Sequence, residues 1–322
     1  MFYAVFEISR RKKLRLFRQS STDVRLNRLR GPDMQTQHCY GGVWTQDKLN
    51  RLSKYLTAYM NIFKANERAK FFSTYYVDAF AGTGHRTSTI QMPEQTLFGD
   101  SEALEFQQGS AAIALDTEPA FDHYIFIDTK QGYIRELKAL KEKYRGRDIE
   151  IIKEDSNRFL PRWCADMDWR RNRAVAFLDP YGAQVEWQTI ESIAATKAID
   201  LWLLFPLGQA VNRMLTRREP DPSWCNRLDC LFGTEKWKDE FYRPAKQRSF
   251  LDEELSLEKQ ANFRTIGDFF VKRLESVFSA VSKRPLALCN SKSIPIFLLC
   301  FASANPRGAR TAIKIANHIL GN

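Results

Sequence analysis

Short apolar runs alternate along the chain with stretches whose apolar positions recur every three or four residues. These are the periods of strands and helices. The first helical stretch takes Thr45 as N-cap, with Asp47 in its first turn. Leu49, Leu52, Leu56, Tyr59 and Phe63 then recur at helical spacing, and Lys48, Arg51, Lys54 and Lys64 are read as lying outside that stripe. Tyr76-Val77-Asp78-Ala79-Phe80-Ala81-Gly82-Thr83-Gly84 begins as a buried strand and ends in a Gly-rich turn. Further strands are expected at His123–Asp128, Ile149–Ile152, Arg173–Leu178 and Ile199–Phe205. Helices are expected at Ser110-capped Ala111–Leu115, at Gly132–Tyr144 and at Trp187–Thr196. A long helix, about Glu258–Lys283, leads to strands Pro285–Cys289 and Pro295–Phe301, and Gly308–Ile319 is a last helix. The alternation predicts βαβ units and a mostly parallel α/β sheet, Rossmann-like, with helices on both faces. The gap between the last two strands is too short for a parallel crossover, so they should pair antiparallel.

The polar residues that interrupt this pattern fall at strand ends. Gly82 and Gly84 permit positive φ and close approach of backbone N–H groups to a ligand. In open α/β sheets such a loop, at the carboxyl end of a strand, is where ligands bind. The pattern is D-x-F-x-G-x-G, not the G-x-G-x-x-G of a dinucleotide site. Asp128 ends the second strand, suited to a ribose diol or to capping the next helix. It stands 44 residues after Gly84, beyond the usual ~20, so His85–Gln108 must loop out. Asp155 and Ser156 follow the third strand and fit either the amine and ring edge of an adenine or a helix cap. Asp179-Pro180-Tyr181-Gly182 follows the fourth, where a carboxylate can accept from an amine and an aromatic can stack on a base. A plain turn explains the same tetrad.

Composition narrows the class. Nine Lys/Arg against Glu7 and Asp23 give the first thirty residues +7 of the net +11, leaving +4 for the other 292. A basic arm of this kind binds phosphates by counterion release or is a solvated segment. Met34, just ahead of the first helix, is an alternative start. The expected organisation is a basic tail over residues 1–40 and one domain over 41–322, with insertions near 85–108 and 216–252. The longest apolar runs, Ile199–Leu207 and Ile294–Ala302, are far shorter than the ~20 residues of a membrane span. The six cysteines form no C-x-x-C and no zinc spacing, so no metal is expected; reduced thiols imply a cytoplasmic compartment.

The D-x-F-x-G-x-G loop, the acid after the second strand, the D-P-Y-G after the fourth and the closing antiparallel pair resemble a class I S-adenosylmethionine-dependent methyltransferase. More narrowly, the chain is similar to the three-Cys-motif partner (TcmP) family. That resemblance rests on Trp44-Thr45 with Lys48-Leu49 and Tyr55-Leu56, on Tyr76–Gly84, on Gly109-Ser110 and on Phe177–Gly182. Asp200 with Leu204-Phe205-Pro206 and the late Phe301-Ala302-Ser303 extend it, so that it covers about residues 41–320. It implies a bacterial or archaeal methyltransferase-like protein whose partner is a separate protein carrying three cysteines. S-adenosylmethionine would then lie over Asp78, Phe80, Ala81, Gly82 and Gly84, with Asp128 on the ribose and Asp155 and Ser156 at the adenine.

Asp179, Pro180 and Tyr181 would hold the target amine. The tetrad departs from the D-P-P-Y of adenine-N6 and cytosine-N4 methyltransferases and is closer to the D-P-F-G of tRNA guanine-N2 dimethyltransferases. The expected activity is N-methylation of an exocyclic amine of a nucleic-acid base, with Arg213, Arg217 and Arg218 holding phosphates or forming a solvated face. Two other readings stand beside it. One is a cofactor-binding scaffold for the three-cysteine protein, with little catalysis of its own. The other is a small-molecule or peptide methyltransferase.

Overall fold

The computed structural model describes residues 43–67, 69–81, 109–244 and 257–321. Five strands run parallel: β1 (Ser73–Asp78), β2 (His123–Ile127), β3 (Ile149–Ile152), β4 (Asn172–Leu178) and β5 (Ile199–Phe205). Between them lie α1 (Val43–Ala65), ahead of β1, then α2 (Ser110–Leu115), α3 (Gln131–Lys143), α4 (Ser156–Asp166) and α5 (Trp187–Ala195). After β5 a π-helical turn, Leu207–Val211, leads to α6 (Pro222–Phe232) and α7 (Trp237–Phe241). A small hairpin of β6 (Tyr242–Pro244) and β7 (Leu257–Lys259) precedes α8 (Phe263–Glu275). The chain closes with β8 (Ala280–Val281), β9 (Leu286–Cys289), β10 (Pro295–Ser303) and α9 (Ala309–Leu320).

The main sheet has eight strands in the order β3-β2-β1-β4-β5-β10-β8, with β9 also on β10. β10 runs antiparallel to β5, and β9 pairs antiparallel with β10 as expected. This is a Rossmann-like, mostly parallel sheet with a closing antiparallel pair. Period-two alternation sorts its side chains. Val77, Ala174, Ala176, Leu201 and Leu203 face α4, α5, α6, α7 and α8. Tyr76, Val175, Phe177, Trp202 and Leu204 face α1, α2, α3 and α9. With both faces covered, the strands read as continuous apolar runs. Among the described residues no helix is long and apolar enough to cross a membrane.

Four expectations change. α1 already begins at Val43, so Thr45 lies inside the helix and does not cap it. The long helix is only Phe263–Glu275, capped by Asn262, whose side chain accepts from Thr265 N at 3.0 Å. The residues before and after it go to sheets: Leu257–Lys259 to the hairpin, and Ala280–Val281 to the edge of β10. Ser110 is the first residue inside α2, and Gly109 takes the cap position. The stretch after Thr216 contains two helices, and Leu228, Leu231, Phe232, Trp237 and Phe241 carry them into the main core. Residues 1–40, the insertion near 85–108, and 245–252 of the second insertion lie outside the described residues.

A buried polar pair fixes α1 to the amino end of β5. The Tyr55 hydroxyl donates to Asp200 Oδ2 at 2.7 Å, while Asp200 Oδ1 is buried and completes no hydrogen bond among the described residues. Burial pushes the Asp200 carboxyl up to about 6, eased by the facing Ser303 and Tyr55 hydroxyls.

Candidate site at the carboxyl edge of the sheet

Crossovers carry the chain from β1 to β2 and β3 on one side, then back to β4 on the other. The carboxyl ends of β1 and β4 therefore bound the crevice where such sheets bind ligands. The loop leaving β1 is held open across it. Ala79 N donates to Phe177 O of β4 at 3.0 Å, and Ala81 N donates to Ile127 O of β2 at 3.0 Å. The Ser156 hydroxyl donates to Ala79 O, so the first turn of α4 grips the same loop. Phe80 is half-buried between these anchors. Gly82 and Gly84 lie outside the described residues.

Asp78, the last residue of β1, is fully buried. Its Oδ2 accepts from the Tyr76 hydroxyl at a long 3.4 Å, and its Oδ1 completes no hydrogen bond among the described residues. Burial pushes the carboxyl up to about 7; the Ser110 hydroxyl and the Phe80 amide face it without completing hydrogen-bond geometry and ease that rise only in part. Asp179, at the end of β4, is near enough to raise it further.

Lys48 enters this carboxylate pair from α1. Its ammonium lies 3.1 Å from Asp179 Oδ2, with the lysine side chain 1% exposed and the aspartate 14%. Burial lowers the amine to about 7, against the attraction of Asp179 and, more weakly, Asp78. Lys48, expected outside the apolar stripe, is instead buried within it. Positions 48, 52, 55 and 59 stand at i, i+4, i+7 and i+11, one face of a helix, and Leu52, Tyr55 and Tyr59 are buried with it. Spacing was the available signal, and its charge masked it.

The remaining strand-end residues sit along the same edge. Asp128 follows Ile127 directly and is half-buried; its Oδ1 accepts from Lys130 N at 2.6 Å. Burial raises its carboxyl, with the Lys130 and Thr129 amides pulling the other way. Asp155 is exposed and caps α4, accepting from Asn157 N at 2.7 Å. Ser156 is buried with its proton committed to Ala79. Pro180 is buried, Tyr181 is 48% exposed, and Gly182 turns the chain at φ 74°. Asn157, which the sequence gave no reason to single out, locks that turn. Its amide donates to Gln184 O at 2.8 Å, and its oxygen accepts from Glu186 N and the Thr189 hydroxyl. Arg213 and Arg218 are exposed beyond β5, and Arg217 pairs with Glu258 at 3.0 Å.

No protein family and no curated protein matches the chain. Solved structures share its layering loosely. Protein LPL1258 of Legionella pneumophila is 11% identical, over 88% of this chain and 92% of that one, at a TM-score of 0.43. The N-terminal domain of EvdMO1, solved with S-adenosylhomocysteine, is 8% identical over 78% and 80%, at 0.36. An rRNA methylase from Streptococcus thermophilus is 10% identical over 66% and 95%, at 0.28. Likenesses this loose carry no functional inference, so what the site does has to come from its own residues.

Proposed function

We propose that this chain is an S-adenosylmethionine-dependent N-methyltransferase acting on an exocyclic amine of a nucleic-acid base. The observation that carries this reading is Asp78 Oδ1, a buried carboxylate oxygen that completes no hydrogen bond among the described residues, at the floor of the switch-point crevice. A buried unsatisfied acceptor costs free energy unless something fills it, and a ligand ammonium fits it in charge and size. The second oxygen of Asp128 fits a ribose diol. Asp155 and the first turn of α4 fit the adenine edge through the exposed cap oxygen and backbone, since the Ser156 hydroxyl serves Ala79. The bound cofactor supplies an electrophilic methyl. Asp179 accepts hydrogen bonds from the target amine and aims its lone pair, Pro180 stiffens the turn, and half-exposed Tyr181 offers a face for stacking. The exposed Arg213 and Arg218 suit a phosphate backbone, as does the basic tail.

One observation favours a second reading. The Asp179 oxygen that would hold the amine is already engaged by Lys48 at 3.1 Å. A site resting in that state suits a cofactor-binding partner of a three-cysteine protein, as the TcmP resemblance implies. Calorimetry with S-adenosylhomocysteine tests the cofactor, and Asp78→Ala should weaken binding by about tenfold to a hundredfold. Turnover is read with tRNA, rRNA, duplex DNA, small-molecule and peptide pools, with and without the three-cysteine protein. Binding with no turnover of any pool selects the scaffold. An absence of binding, with Asp78→Ala inert, overturns both readings.

A further inference from the structure

We propose that Lys48 is a positioning residue, whose ammonium against Asp179 Oδ2 keeps that carboxyl ionised as acceptor for the protons of the target amine. The inference deepens the methyl-transfer reading and rests on it. Asp179 follows the buried Leu178 and precedes the buried Pro180, with little water to support its charge. Burial alone drives the carboxyl upward, and Lys48 is the opposing influence. The groups facing it are Lys48 from α1 and Tyr76 and Asp78 from β1. Among the described residues Lys48 is the one cation within ion-pair distance of Asp179.

The chemistry shows why ionisation matters. The amine lone pair forms the N–CH3 bond as the S–CH3 bond breaks, leaving a neutral thioether and a positive nitrogen. That nitrogen then loses a proton. An ionised Asp179 can hold both N–H groups beforehand and take the proton afterwards, and its 14% exposed side chain offers a path to water. A protonated Asp179 would present a donor where an acceptor is needed. Stability alone does not account for Lys48, because a buried ion pair is often no more stable than a well-packed apolar replacement.

The test is an NMR titration of the Asp179 carboxyl carbon in the full chain, assigned with Asp179→Asn. Lys48→Met should raise its midpoint by about 1–3 pH units, and Lys48→Arg should restore it. If Lys48→Met fails to fold, the reciprocal measurement decides. Asp179→Asn should lower the midpoint of the Lys48 Nζ signal, and an unmoved signal overturns the inference. S-adenosylhomocysteine calorimetry on the unaltered protein separates the layers. Cofactor binding with an Asp179 midpoint indifferent to Lys48 overturns this inference alone. A shifted midpoint in a protein that binds no cofactor removes the methyl-transfer reading and the acceptor role with it.

Discussion

Asp78→Asn should make the protein more stable and bind its cofactor less well. The carboxyl lies at about 7 in the folded chain against an ordinary 3.8. Between those values the folded chain keeps a proton that the unfolded chain gives up, so stability falls as pH rises through the window. Each unit is worth about 1.4 kcal/mol, so the loss reaches roughly 4 kcal/mol above pH ~7. Asparagine keeps the shape and an oxygen for the 3.4 Å contact from Tyr76 without the charge. The gap in unfolding free energy between variant and parent should therefore be near zero around pH ~4 and open to roughly 4 kcal/mol at pH ~8. Urea denaturation across that range reads the gap directly, as a midpoint higher by about 1 M or more at the alkaline end. A gap that stays flat with pH, or a variant less stable at pH ~8, refutes the reasoning. Gaining stability while losing S-adenosylhomocysteine affinity is the trade expected of a strained functional site.

Three other outcomes follow from particular contacts. Tyr55→Phe removes a 2.7 Å bond to buried Asp200 and should cost about 1.5–3 kcal/mol at pH ~8. With Asp200 at about 6, the cost should shrink as pH falls below that value and the carboxyl takes up a proton; an equal cost at both ends counts against the assignment. Gly182→Ala places a side chain at φ 74° with no atom of the described residues beyond its chain neighbours within 4 Å of the new Cβ, so the penalty is torsional, about 1–2 kcal/mol by thermal or chemical unfolding. Gly208→Ala puts a Cβ 2.1 Å from Pro295 O, and parting β10 from the π-helical turn should cost about 1–3 kcal/mol or more. An unchanged melting temperature would mean that this packing is looser than the structure shows.

What the sequence determined by itself is the layered frame. β3 and β5 match their expected bounds, and β1, β2 and β4 lie within a few residues of theirs. Their apolar runs are short, bounded by turn residues, and buried on both faces, so local pattern and tertiary environment agree. α6 was not read from the sequence: Asp221 as N-cap and Pro222 in the first turn fit a helix start, but the Trp, Arg and Asp around them hid its apolar spacing. The helix read over residues 258–283 was too long because propensity cannot see that Leu257–Lys259 and Ala280–Val281 have strand partners. Asp78, Asp128, Asp155 and Asp179 were visible as strand-end acids, since parallel strands place such ends on one edge. Only the tertiary structure decided what each acid does there. Asp155 caps α4 and Asp128 meets Lys130 N, local bonds that sequence allowed without selecting. Lys48 stands 131 residues from Asp179 in the chain, and a charge read locally belongs in water. Its burial depends on the first turns of α1 lying at the carboxyl edge, because an ammonium leaves water at acceptable cost only where distant strands supply its counter-charges.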